Sequence, residues 1–354
     1  MVAFLAMAGL GLIVLILIGL DTGFAGLLVG LVLATLPVPL YLLLALWIDR
    51  YEKEPTGMLA LAFVWGASVA IFFAYLFNTA AGVAIDSFAG AATAELGTSI
   101  VSAPLVEETA KGLALLVLCL WKRDEFDNVT DGVVYAAMVG LGFAMTENVQ
   151  YYGAALEHGI GGSFSVFILR GTVAPFSHPL FTALTGIGVG LACETRNRFL
   201  QGLAPLAGLA GAISLHALWN LAASFGAMFA VVYVLIMMPA LGAVVGLVLF
   251  SLHRERRLIR EHLATFAEAG ELTAAELAAL GRFGGRWKAQ RDAARRTGWR
   301  GWRRQGRFHE TASELAFHRW RTARGITRGA RHDADAEQAL RDGLRALRSQ
   351  PEGD

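Results

Sequence analysis

Three observations predict an all-α polytopic membrane protein, with about eight transmembrane helices and a C-terminal helical cytoplasmic tail. The 354 residues are 55% hydrophobic and 17% charged, with a mean hydropathy of +0.52, too apolar for an ordinary soluble protein. The apolar residues collect before residue 252 in runs of about 20, the length that crosses a hydrocarbon core. Charge divides at nearly the same place: residues 1–250 hold 8 Lys+Arg against 15 Asp+Glu, and residues 251–354 hold 22 against 14. The formal net charge of +1 is therefore a cancellation between an acidic membrane part and a basic tail.

The first run, 2–20, has no basic residue before it and no small-residue cleavage site after it, and reads as a retained helix rather than a signal peptide. The second, 23–48, ends at DRYEKEP (49–55), after which the third covers 57–81. The fourth, 97–121, is interrupted by Glu107, Glu108 and Lys111. Each such residue costs roughly 2.5 to 3.5 kcal/mol at the centre of a bilayer, so they need partners or a task. The fifth, 132–152, follows WKRDEFDN (121–128), and the sixth, 163–192, contains Pro175 and Pro179 around His178. The seventh, 202–223, follows ETRNR (194–198), and the eighth is 227–250. Lys and Arg in short loops fall only in those three basic segments and the tail, whereas 21–22, 82–96, 153–162 and 224–226 contain none. That alternation puts both termini in the cytoplasm.

Two domains follow, a transmembrane part over 1–252 and a basic helical tail over 253–354. In the tail, LTAAELAAL offers a capping box from Thr273 and Glu276. GRWKAQRDAARRTGWRGWRRQGRFH interleaves basic residues with Trp and Phe. No nucleic-acid module accompanies it, so anionic lipid or a cytoplasmic protein is the expected partner. Cys119 and Cys193 lie near the ends of apolar runs and are expected to be two packed free thiols.

Polar residues recur at one depth. Counted from the cytoplasmic end of each predicted span, Glu108, Glu147, His178 and His216 stand 13 to 15 residues in, roughly 20 to 22 Å at 1.5 Å per residue. Asn148 follows Glu147, and Asn220 lies one turn beyond His216. Pro104, Pro175 and Pro179 break helices beside these groups, and broken helix at membrane depth belongs where it lines a watery cavity. Arg170, near the outer end of its span, is expected to snorkel or to pair with an outer acid.

Amide hydrolysis needs a base for water, donors for an oxyanion and an acid for the leaving amine. Two adjacent glutamates in low dielectric are not expected to be charged together, so one of Glu107 and Glu108 stays protonated while its neighbour, or Glu147, acts as base. His178 would share that task or position water, and His216 with Asn220 would donate to the oxyanion. A metal would use the same atoms: His178, His216 and Glu147 make a three-ligand set for zinc, and a glutamate-type enzyme would need none. A non-catalytic binder, scaffold or transporter-like protein is the alternative use of the same polar cavity.

Four segments carry a resemblance. VEETAKG, FAMTEN, SHPLFTALTG and HALWN resemble, in order, the motifs of the PrsW family of intramembrane proteases, over about residues 30–250. That family is similar to the CAAX prenyl endopeptidases and bacteriocin-processing membrane proteases. The sequence departs from the CAAX pattern with Glu147 in place of a histidine and Lys111 in place of an arginine one position later, now Gly112. The resemblance implies a bacterial cell-membrane enzyme that cleaves membrane-anchored proteins, anti-sigma factors included. It also implies that Glu107, Glu108, His178 and His216 are essential.

Overall fold

The computed structural model describes residues 2–123, 125–325 and 329–349. Asp124 of the 121–128 loop, and positions 326–328 and 350–354 of the tail, lie outside the described residues. Among the described residues there is helix and no strand. The apolar part runs through α1 (Val2–Thr35), α2 (Val38–Ile48), α3 (Thr56–Val64), α4 (Ile71–Ala89), α5 (Ala91–Gly97), α6 (Ala103–Trp121) and α7 (Val129–Ala154). It continues through α8 (Gly159–Phe167), α9 (Ser177–Glu194), α10 (Arg198–Ser224), α11 (Ala227–Val232) and α12 (Met238–Glu268). The tail forms α13 (Ala274–Gly281), α14 (Gly285–Ala323) and α15 (Ala330–Ser349).

Among the described residues, five stretches are long and apolar enough to cross a membrane: Phe4–Ile48, Thr56–Ala89, Val129–Glu194, Arg198–Ser224 and Ala227–Glu268. The first and third hold 45 and 66 residues, about 70 and 100 Å of helix, well beyond one crossing of a 30 Å core. Both are broken inside, the first at Gly23 and the third at the turn Ala155–His158 and again before Ser177. α6 is absent from the five because Glu107, Glu108 and Lys111 fall within its 19 residues. The segments 82–96 and 153–162, expected as loops, are helical for most of their length, with the chain turning at Gly90 and at 155–158.

The chain divides into two compact units. One takes in the chain up to Asp49 together with Glu54–Val248, and the other takes in Arg50–Lys53 together with the chain from Leu249 onward. In the first unit the core gathers round α7, whose N-terminus is fixed by a reciprocal capping box. The Asn128 side chain accepts from the amides of Thr130 and Asp131, and the Asp131 carboxylate accepts from the amide of Asn128. Tyr135 and Val139 of α7 meet Leu59 of α3 and Leu115 and Leu118 of α6. Phe143, Val149 and Tyr152 meet Val14 and Ile18 of α1 and Ile71 of α4.

Between membrane helices there is little hydrophobic driving force, so close backbone approach through small residues supplies the packing. Gly132 of α7 and Gly186 of α9 are reciprocal, since a Cβ on either would run into the other's carbonyl. Gly140 of α7 lies against the backbone of His178 and Pro179, where a Cβ would fall 2.8 to 2.9 Å from three backbone atoms. Cys119 of α6 and Cys193 of α9 are paired as a disulfide rather than left as two free thiols, because α6 and α9 pack side by side.

The second unit buries Ile259, Leu263, Phe266, Leu280, Leu315 and Phe317. Thr273 and Glu276 form the expected capping box. The segment 50–53 is bound into this unit by polar contacts. Arg286 donates to the Arg50 carbonyl at 2.9 Å, Arg321 pairs with Glu52 at 2.8 Å, and Lys53 pairs with Glu310. Glu271 is held by Arg341 and Arg345, and its carbonyl accepts from Arg348.

Candidate active site

The four helices that carry the predicted residues bring most of them to one place. A π-helical turn, Thr98–Ser102, leads into Pro104 and α6. The Trp65 indole donates to the Ala110 carbonyl at 3.0 Å and pins the middle of α6. A second π-helical turn, Ile168–Val173, and the break at Pro175 let α9 start only at Ser177. His178 and Pro179 thus sit in its first turn, against Gly140.

Lys111 is the hub. Its side chain has no exposure, and Nζ lies 2.8 Å from Glu108 Oε1, 3.4 Å from Glu107 Oε2 and 2.9 Å from His178 Nδ1. It also stands 3.8 Å from the Phe143 ring centroid, a favourable cation–π arrangement. Three donors and three acceptors account for the whole ammonium group. Because Lys111 donates, His178 Nδ1 accepts, and His178 Nε2 then carries the proton that it donates to Glu147 Oε2 at 2.9 Å.

Glu108 is engaged through both oxygens. Its Oε1 accepts from Lys111 and from His216 Nδ1 at 3.0 Å, and its Oε2 accepts from the Thr182 hydroxyl at 3.2 Å. His216, donating through Nδ1, presents its Nε2 lone pair 4.0 Å from Glu107 Oε2. Phe181 stacks on the His216 ring at 4.8 Å, which fixes the ring plane. Glu107 therefore has long contacts to Lys111 and His216 and otherwise faces open space.

That space is a cavity of about 600 Å³, lined by Glu107, Glu147, Arg170, His178, His216 and Asn220, with Asn78, Thr98, Ser99 and Tyr151 on its walls. Glu108 does not line it. A smaller void of about 20 Å³, room for one water, adjoins Asn148, Arg170, Ser177 and His178.

Two residues have partners that the sequence reading did not name. Arg170 does not snorkel: it pairs with Glu147, donates to Asn148 Oδ1 at 2.7 Å and lies 3.8 Å over Tyr151. The π-helical turn that holds it leaves no signal in hydropathy; the nearest signal was one uncompensated cation inside a span. Asn220 donates to the Ser99 carbonyl at 2.8 Å, so one amide hydrogen supports the first π-helical turn and the other remains for the cavity.

Glu107, His178 and His216 each offer a ligand atom within 4.8 Å of the others, a group that could hold a metal ion. Glu107, not Glu147, completes that group; Glu147 is taken by Arg170 and His178. His216 is set up as a ligand, since Glu108 behind its Nδ1 is the usual support of a metal-bound imidazole. His178 is not, because Lys111 and Glu147 occupy both its nitrogens. Glu107 and His216 thus offer two free donors, and His178 would complete the three-ligand set of a hydrolytic zinc by exchanging its bond to Glu147 for the metal.

A model of the PrsW family, described as intramembrane metalloproteases, matches residues 54–244. The chain is 33% identical over 144 residues to Protease PrsW of Geobacillus kaustophilus (strain HTA426), covering 41% of this chain and 58% of that protein. It is 28% identical over 150 residues to Protease PrsW of Bacillus subtilis (strain 168), covering 41% and 60%. With Protease PrsW of Clostridioides difficile (strain 630) it shares 30% identity over 138 residues, covering 39% and 55%. The chain thus spans a little over half the length of these curated relatives. No solved structure matches it.

Proposed function

The chain belongs to the PrsW family, and from that premise we propose that it is an intramembrane endopeptidase in which Glu107 activates water. The observation that carries this reading is the unequal state of the two neighbouring glutamates: Glu108 has both its oxygens engaged away from the cavity, whereas Glu107 faces the cavity across from His216 Nε2.

A water between Glu107 Oε2 and His216 Nε2 gives a proton to Glu107, and its oxygen attacks the carbonyl carbon of the scissile peptide. The carbonyl π electrons move to oxygen, and the free amide hydrogen of Asn220 donates to the resulting oxyanion. The intermediate collapses, the C–N bond breaks, and Glu107 returns its proton to the leaving nitrogen. Glu108 orients His216, while Arg170 and Glu147 orient His178, which with Lys111 keeps the carboxylates in place. No step runs through a metal.

Eight passes with both termini cytoplasmic, a protease domain over 1–252 and a basic cytoplasmic tail over 253–354 complete the reading. The substrates are single-pass or otherwise membrane-anchored proteins of the bacterial cell membrane, with anti-sigma factors the class that the family resemblance suggests. The tail's partner is anionic lipid or a cytoplasmic protein.

The test is cleavage of a co-reconstituted single-pass substrate by the purified full chain. Glu107→Gln is expected to lower the rate on the order of 10³-fold while the variant keeps its melting temperature. Undiminished cleavage by Glu107→Gln overturns the assignment, and activity that disappears with chelator and returns with zinc overturns the metal-free mechanism. Ligand-dependent stabilisation with no hydrolysis product would instead mark the cavity as a binding site.

A further inference from the structure

The C-terminal unit lies outside the family match and the catalytic cavity, yet it has a surface of marked chemistry. Residues 282–307 hold ten Lys and Arg against one acid, Asp292. Folding leaves Arg282, Lys288, Arg295, Arg300, Arg303 and Arg307 exposed. It also leaves Phe283, Trp287 and Trp299 exposed, at 68%, 56% and 69%. A solvated helix face mixes signs and avoids large aromatic rings. Cations with Trp and Phe are instead the composition of a surface that sits at a lipid headgroup layer, where the rings find apolar contact and the charges find phosphate.

The position of this face in the chain agrees. The Phe283 ring lies 5.5 Å from the guanidinium of Arg50 and 5.8 Å from that of Arg256. Arg50 comes two residues after Ile48, the last residue of an apolar stretch, and Arg256 lies on α12, which continues without a break from an apolar stretch. Phe283 is therefore held beside two basic side chains that follow apolar stretches in sequence. Trp287 follows one turn later, stacked by Arg291 at 4.5 Å. Beyond the bend at Gly298, Trp299, Arg300, Arg303 and Arg307 continue the exposed basic surface along α14.

We propose that this face of α14, with Phe283 before it, is a docking surface for anionic phospholipid headgroups on the side of the membrane where the C-terminal unit emerges. The occupant is lipid rather than protein because the charge is of one sign and because covalent connection to apolar helices keeps the face near a bilayer at all times. It rests on reading the chain as a membrane protein, not on its catalysis.

The experiment uses the full chain with Trp299→Cys carrying a nitroxide, in nanodiscs of phosphatidylcholine with or without phosphatidylglycerol, and the wild-type chain treated identically as background. With phosphatidylglycerol present, the label becomes several-fold more accessible to oxygen than to a water-soluble nickel chelate. Added salt, or Arg300→Glu with Arg303→Glu, returns it to the value in phosphatidylcholine alone. Equal accessibility in the two kinds of disc overturns the proposal, and so does a lipid response that survives both arginine replacements. Cleavage activity is measured in the same discs, so loss of the catalytic reading leaves this result standing.

Discussion

Charged side chains find their partners in two ways in this molecule. In the membrane unit Lys111, Glu107, Glu108, Glu147, Arg170 and the two histidines have mainly one another as partners, side chain to side chain, beside a cavity. In the C-terminal unit, beside ion pairs such as Arg321 with Glu52, several basic side chains reach for backbone: Arg286 donates to the carbonyl of Arg50, Arg319 to that of His262, and Arg348 to that of Glu271. An ion partnered by other titratable groups belongs to a set whose members can exchange protons. An ion partnered by carbonyls has no proton to exchange, and it fastens chain segments. The first arrangement suits chemistry, and the second suits architecture.

Removing the hub from each network separates the two. Lys111→Met leaves two carboxylates buried without their cation, and is expected to cost about 3 to 5 kcal/mol of stability and to abolish cleavage. Arg286→Met is expected to cost about 1 to 3 kcal/mol and to leave cleavage intact. Denaturation in detergent and the cleavage assay check both; equal activity in the two variants would break the distinction.

Gly140→Ala tests the geometry more finely. The added methyl pushes on the backbone that carries His178, a displacement expected to lower cleavage about 10²-fold. The accompanying loss of stability is only about 1 to 3 kcal/mol. A variant with wild-type kinetics would show that the site tolerates movement of α9.

The smallest effect is a pH dependence in the C-terminal unit. Burial, then Arg286 and Lys53 nearby, push the His309 imidazole down to about 3, from an ordinary value near 6.5. The folded state thus favours the neutral ring. Its contribution to stability is complete above about 6.5 and is lost as pH falls towards about 3, with a slope of at most about 1.4 kcal/mol per pH unit. His309→Leu should flatten that part of the melting-temperature profile between pH 7 and 5; an unchanged profile would place the titration elsewhere.

Much of the site was legible because depth can be counted. Glu108, Glu147, His178 and His216, placed at one level by residue number, do meet through Lys111 and their mutual hydrogen bonds. Arg170 was expected to snorkel or to pair with an outer acid, and it pairs with Glu147; which acid it reaches depends on the π-helical turn at Ile168–Val173, which no periodicity announces. The bond from Asn220 to Ser99 depends on a turn that no periodicity announces, and it leaves the other amide hydrogen for the proposed oxyanion. In the fold, helical character was legible from apolar runs, and the break at Pro175 from proline; at Pro104 the chain stays helical, with a π-helical turn just before it. The disulfide between Cys119 and Cys193 was not, since pairing depends on which helices become neighbours. Nor was the capture of residues 50–53 by the C-terminal unit, which joins side chains more than 230 residues apart.

The cavity beside Glu107 carries a further consequence. At about 600 Å³ it has room for on the order of twenty water molecules, in a region where the surrounding solvent is hydrocarbon. In the proposed hydrolysis water would be a reactant, one molecule per bond cut, and an incoming polypeptide would have to displace most of that store to reach the carboxylate. Substrate and reagent therefore compete for one volume. A side chain too large for the space dries the reaction, so selectivity can arise from what an occupant leaves wet as much as from what it touches.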